Sequence, residues 1–253
     1  MRHLPYNIAH QGASGLCPSN TFAAFRRALE IGADIIELDV VTTADGVVVV
    51  IHDTSVELLT DGQGYVREMT LAQIKKLDAG IRFGEQFAGE RIPTLEETLD
   101  WVRGKPIRLC IEIKGDTTED YLCTAHALVD VLHRRDHLQP VTITSFSPEC
   151  VREVKKLQPL LSVALDPDKQ DGSYTPWELC QQMLRCGANF MLHDYRALTA
   201  DIVEEAHQHG FSVWAWTMNE PAEMRRTIAT GADGLMTDRP DLLKDVLDEM
   251  RSQ

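Results

Sequence analysis

Two short segments of this chain put carboxylates where apolar residues would be expected. Glu37-Leu38-Asp39 stands between Ile35-Ile36 and Val40-Val41, and Glu112 and Lys114 alternate with Ile111 and Ile113. In an extended strand, residues two apart share a face, so each segment offers a pair of charged groups on one side of an apolar strand. Unpaired carboxylates are costly there. One account is an ion pair, for instance Lys114 with Asp39 or Glu112. The other is a hard cation: three converging carboxylates with oxygen-only ligation suit Ca2+ or Mg2+, whereas zinc would want His or Cys. Two histidines add a second kind of chemistry. His10 ends the first apolar run and is followed closely by Gly12, and His52 follows the run at 47–51. Both side chains titrate near neutrality, as general acid and base work requires. His3, His126, His133, His137, His193, His207 and His209 fall in helix or loop contexts and receive no role.

These groups need a scaffold that carries them to one place. Short β-branched runs at 7–9, 35–40, 109–113, 141–144, 161–165, 190–192, 212–216 and 234–237 alternate with amphipathic stretches such as 21–31, 199–209, 221–230 and 240–250. Gly32-Ala33-Asp34, Gly187-Ala188-Asn189 and Gly231-Ala232-Asp233 each fall where a helix should stop and a strand begin, and glycine supplies the left-handed stop. Eight strands alternating with helices over 253 residues predict an α/β fold, a (β/α)8 TIM barrel spanning residues 1–253 as a single domain. In such a barrel the chemistry sits at the C-terminal ends of the strands, where His10, the acidic pair at 37 and 39, and Glu112 all fall.

One apolar run, 47–51, exceeds the count of eight. Asp45-Gly46 before it is a strong signal for a two-residue hairpin turn, so this run should return antiparallel on the second strand. That register sets Asp39 opposite His52. Residues 54–91 then form a small insertion after the hairpin, with one helix-like piece at 70–77.

Bulk properties narrow the function. A net charge of −14 repels nucleic acid and anionic membrane surfaces, so a phosphate-bearing small molecule would have to meet a local positive site such as a bound cation. No apolar stretch reaches membrane-spanning length, and the N-terminus turns polar at His10-Gln11-Gly12 before a signal core forms. A soluble, cytoplasmic enzyme without stable membrane insertion is expected. The six cysteines lack a CxxC pair and read as reduced core thiols. The sequence leaves a homodimer open.

The order of short motifs then adds a resemblance. Ile8-Ala9-His10-Gln11-Gly12-Ala13-Ser14, Pro18-Ser19-Asn20-Thr21, Glu37-Leu38-Asp39-Val40, Thr43-Ala44-Asp45-Gly46, His52-Asp53, Ile92-Pro93-Thr94-Leu95, Glu112-Ile113-Lys114, Trp216-Thr217-Met218-Asn219 and Thr237-Asp238-Arg239-Pro240 resemble, in order and along the whole chain, those of glycerophosphodiester phosphodiesterases. The resemblance implies hydrolysis of a glycerophosphodiester to glycerol 3-phosphate and an alcohol. It implies one divalent cation held by Glu37, Asp39 and Glu112, with His10 and His52 as the acid/base pair. Lys114 would contact phosphate, and Trp216 would wall the glycerol side, although an interior barrel aromatic is an equal reading of that residue. Asn20 reads as the N-cap of the helix at 21–31.

Three positions depart from the family pattern. Gln11 stands where Arg is usual, Ser19 where Glu is usual, and Leu58-Leu59-Thr60 where Arg-Thr-Thr is common. Three carboxylates, one divalent ion and Lys114 sum to zero charge, so one protonated histidine gives the +1 that a monoanionic diester needs. Gln11 retains a hydrogen bond toward substrate but not the charge. Two other readings follow: a related phosphodiesterase acting on a lysophospholipid or sphingomyelin-like substrate, for which an apolar surface beside the pocket would speak, and a weakened phosphodiester-binding protein.

Overall fold

A computed structural model describes residues 4–136, 141–167 and 173–252. Eight parallel strands close into a barrel: β1 (Tyr6–Ala9), β2 (Ile35–Thr42), β4 (Arg108–Ile113), β5 (Val141–Ser145), β6 (Ser162–Leu165), β7 (Phe190–Asp194), β8 (Ser212–Trp216) and β9 (Gly234–Thr237). Each pairs with the next, and β1 pairs with both β2 and β9, which closes the ring. The short β3 (Val48–Val50) runs antiparallel on β2. Helices α1 (Phe22–Ile31), α3 (Leu95–Val102), α4 (Thr118–Arg134), α5 (Pro148–Leu157), α6 (Pro176–Cys186), α7 (Ala200–Gln208), α8 (Pro221–Thr230) and α9 (Pro240–Arg251) follow the strands; a single-turn α2 (Leu71–Ile74) lies in the segment after β3. Among the described residues, no helix is long and apolar enough to cross a membrane.

The helix stops fall where the repeated Gly-Ala-Asp/Asn pattern places them. Gly32, Gly187 and Gly231 take left-handed φ values of 88°, 77° and 94°. Their backbone N–H groups close back on carbonyls of the last helical turn, a conformation that a side chain would strain.

Alternation along the strands separates two cores. Even positions of β2, such as Ile36, Leu38 and Val40, pack outward with the helices, whereas Ile8, Ile35, Cys110, Leu192 and Trp214 fill the barrel interior. A third cluster of Val41, Val49, Ile51, Val56, Val66, Ile74 and Ile92 lies under the segment after β3. That segment therefore has its own small apolar floor joined to the barrel rim.

Three expectations need correction here. The turn after β2 has three loop residues, not two: Thr43 N bonds Val47 O at 2.9 Å, and Gly46, with φ 80°, supplies the left-handed third position. The register consequently slips by one, so Val40 faces Val50 and Asp39 bonds Ile51 rather than lying opposite His52. The helix-like piece at 70–77 shrinks to Leu71–Ile74, capped by Thr70. His193 lies on β7 and is buried, not in a loop or helix. His3 and His137 lie outside the described residues. The described cysteines are free, and all but Cys123 are buried.

Candidate active site

Strand alternation carries Glu37 and Asp39 inward from β2, one layer above Ile35. The parallel register of β2 and β4 sets Asp39 beside Glu112 and Glu37 beside Cys110. Oxygens of Glu37, Asp39 and Glu112 lie within 4.8 Å of one another, and all three residues are buried. Adjacent strands of a closed sheet thus hold three carboxylates together without help from a loop.

The loop from β1 to α1 then fixes which oxygens remain free. Gln11, with φ 55°, donates its backbone N–H to Glu37 Oε2 at 2.9 Å. Asn20, with φ 57°, donates from Nδ2 to Asp39 Oδ2 at 2.8 Å and accepts from the Asp39 backbone at 3.2 Å. Gly12 lets this loop pass: its φ is 80°, and a Cβ there would meet Ala24 at 2.7 Å. Asn20 is accordingly not the helix cap. Thr21 takes that place, accepting from Ala24 N, and frees the asparagine amide to grip Asp39.

The opposite oxygens, Glu37 Oε1, Asp39 Oδ1 and Glu112 Oε1, are buried without a hydrogen-bond partner. Lys114 Nζ approaches two of them, at 2.6 Å from Glu112 Oε1 and 3.3 Å from Asp39 Oδ1. These are ion pairs, one ammonium shared between two carboxylates, and they leave Glu37 Oε1 outside. The simple salt bridge is therefore present, but it does not satisfy the cluster. Burial, then the charge of Asp39, pushes Glu37 well above the usual carboxylate range, and burial also raises Glu112 against the pull of Lys114. For Lys114 burial acts downward, but the fields of Asp39 and Glu112 outweigh it and hold the ammonium charged. Three crowded carboxylates with orphaned oxygens are the donor set that a hard divalent cation takes, so the residues fit such an ion.

His10 stands at the end of β1 with its side chain 24% exposed. Its Nδ1 lies 2.6 Å from Asp238 Oδ1, which also accepts from Ser14 Oγ at 2.9 Å. Asn219 donates to the other oxygen, Asp238 Oδ2, at 2.6 Å and accepts from the Asp238 backbone. Burial lowers the His10 imidazole, but the Asp238 hydrogen bond and the fields of Glu37, Asp238 and Asp39 lift it from 6.5 to about 9. Asp238, Ser14 and Asn219 were not singled out from sequence. The signal for Asp238 was its place two residues past the inward Met236 of β9, the same spacing that put Asp39 above Glu37.

His52 lies two residues beyond β3, with Nδ1 2.7 Å from Asp53 Oδ1. It lines a rim cavity of about 550 Å³ together with Lys114. Trp216 ends β8 half-buried, edge-on to Phe146 with ring centres 6.0 Å apart, and the Lys114 ammonium sits 5.5 Å from the Phe146 ring centre. Trp216 Nε1 and Thr144 Oγ1 are further buried polar atoms without partners. Gln11 is buried, Ser19 is half-buried and Leu58 is exposed.

A closed eight-stranded parallel barrel with carboxylates and histidines gathered at the C-terminal ends of its strands defines a TIM-barrel enzyme. Residues 10–242 match the model of the glycerophosphoryl diester phosphodiesterase family. A glycerophosphodiester phosphodiesterase of Caldanaerobacter subterraneus is 42% identical over 237 residues, covering 93% of this chain and 95% of that protein. Another from Bacillus subtilis is 37% identical over 94% of this chain and 85% of its own length. Among solved structures, a phosphodiesterase of Oleispira antarctica in complex with the product sn-glycerol-3-phosphate superposes with a TM-score of 0.89 at 27% identity, covering 97% of each chain. The chain belongs to the glycerophosphoryl diester phosphodiesterase family and is a phosphoric diester hydrolase.

Proposed function

We propose that this enzyme hydrolyses small glycerophosphodiesters to glycerol 3-phosphate and an alcohol, with Glu37, Asp39 and Glu112 holding one divalent cation, Ca2+ or Mg2+. The observation that carries the reading is the set of three buried carboxylates within 4.8 Å of one another, sharing a single ammonium, beside a histidine braced by a carboxylate. When bound, such an ion would supply positive charge to polarise a phosphoryl oxygen and acidify a coordinated hydroxyl. Lys114 would add charge on the same side, and Trp216 with Phe146 would wall the glycerol.

His10 and His52 divide the proton transfers. In each ring Nδ1 is engaged by an aspartate, Asp238 or Asp53, which leaves Nε2 for the substrate. Asp238 keeps His10 protonated at neutral pH, so His10 gives its proton to the leaving alkoxide while His52 takes the proton of the attacking hydroxyl. The fold belongs to one domain in this reading, with residues 54–91 as an insertion at its rim.

Release of glycerol 3-phosphate from glycerophosphocholine, measured with Ca2+, Mg2+ or chelator, tests the proposal. Turnover should need the cation and disappear in Glu37→Ala, Glu112→Ala and His10→Ala. Full activity in chelator, or in either glutamate variant, would refute the ligand assignment; absence of turnover under every condition would favour a phosphodiester-binding role.

A further inference from the structure

Seven large apolar side chains are exposed among the described residues, and four of them, Leu58, Tyr65, Ile81 and Phe83, sit on the segment between β3 and α3. Their exposure does nothing for packing. The apolar floor of that segment is filled by Val56, Val66, Ile74 and Ile92, with Leu59 packed on it, while the neighbouring Leu58 points away at 74% exposure. The two stretches that carry them are tied together: Arg82, between Ile81 and Phe83, donates to the Thr60 carbonyl, and Asp61 bonds Asp78.

Two of the four line the rim cavity described above. Leu58 and Tyr65 line the same 550 Å³ space as His52 and Lys114. Carboxylates of Asp53, Glu57 and Asp116 line it too, which disfavours an anionic occupant. Leu58 thus sets an exposed hydrocarbon on the rim of that cavity. A cavity that begins at proton-transfer and phosphate-binding groups and ends on an apolar wall suits a molecule built in the same order.

We infer that the Leu58–Tyr65 wall is a subsite for an uncharged apolar chain on the alcohol of the substrate, so that the enzyme prefers glycerophosphodiesters whose alcohol carries an alkyl group. The inference rests on the hydrolysis proposed above and assigns the alcohol side of the phosphodiester. The sequence offered no such surface; Leu58 and Leu59 read alike until the fold turned one inward and the other out.

Glycerophosphoethanol, glycerophosphobutanol, glycerophosphohexanol and glycerophosphooctanol, each below its aggregation limit, test it against glycerophosphocholine and a monoacyl lysophosphatidylcholine. A fully covered methylene is worth about fourfold in binding (about 0.8 kcal/mol), so a half-open wall should raise kcat/KM about twofold per methylene. Leu58→Arg and Tyr65→Ser, each checked for an unchanged melting curve, should flatten that slope. A flat series in the wild type overturns the inference, as does a slope that both variants retain. So does a chain-length gain found only when the chain is on the glycerol. A dimer in sedimentation that Leu58→Arg dissociates would make the patch a subunit contact and also overturn it. Failure on every diester, glycerophosphocholine included, would instead sink the proposed hydrolysis and this subsite with it.

Discussion

Replacing Asp238 with Asn separates a histidine that is merely present from one that is held as an acid. Burial alone would depress His10; the hydrogen bond it donates to Asp238 and the nearby carboxylate fields lift it from 6.5 to about 9 instead. At about 1.36 kcal/mol per pH unit, that rise amounts to about 3 kcal/mol, an order-of-magnitude figure for a side chain only 24% exposed. Because the folded value lies above the unfolded one, this stabilisation is full below about pH 6.5 and is lost as the pH climbs through about 9. Removing an opposite charge in direct contact lowers an imidazole by about 1–3 pH units. In cation-free protein, NMR titration of the His10 ring should therefore move down by at least about one unit in Asp238→Asn. The difference in urea midpoint between pH 6 and pH 9.5 should shrink as well. In the cation-loaded enzyme the limb of the kcat/KM profile that reports His10 should shift the same way, with a loss at neutral pH of about 10- to 100-fold. An unmoved His10 titration, or a shifted titration with full activity at every pH, would refute the reasoning.

Other perturbations bear on the cation site and the departures from family pattern. Asn20→Ala removes both hydrogen bonds that orient Asp39, and calorimetric cation affinity should fall about 10- to 100-fold; Asn20→Gly, which suits the left-handed backbone, should recover the melting temperature but not the affinity. Glu37→Gln relieves crowding with Asp39, so in chelator its melting temperature should equal or exceed that of the wild type while cation-dependent turnover is lost; a clear drop in melting temperature would contradict the account of Glu37. Gln11→Arg restores a charge at the mouth, and kcat/KM on glycerophosphocholine should rise by about one to two powers of ten, an unchanged or lower value counting against it.

The barrel was legible because each level of the sequence agreed: eight apolar runs, helical stretches between them, and glycines at the junctions. The carboxylates were legible because charge on the apolar face of a strand has few explanations. The hairpin register was not. A two-residue and a three-residue turn read alike around Asp45-Gly46, yet they differ by one residue, which decides whether Asp39 meets His52 or Ile51. Asn20 misled for a related reason, since the amide that would cap a helix also suits a carboxylate 19 residues away. Asp238 lies 228 residues from His10. Only ring closure between β1 and β9 makes them neighbours, and nothing local announces that contact.

Asp39 and Glu112 are rungs of one ladder, so their spacing belongs to the interstrand bonding of β2 and β4 and owes little to the segment between β3 and α3. Changes in that segment, in its length or in the side chains it shows to solvent, therefore need not disturb the spacing of these carboxylates. A change at the lip of the barrel leaves the staves, and the acidic groups woven into them, where they were.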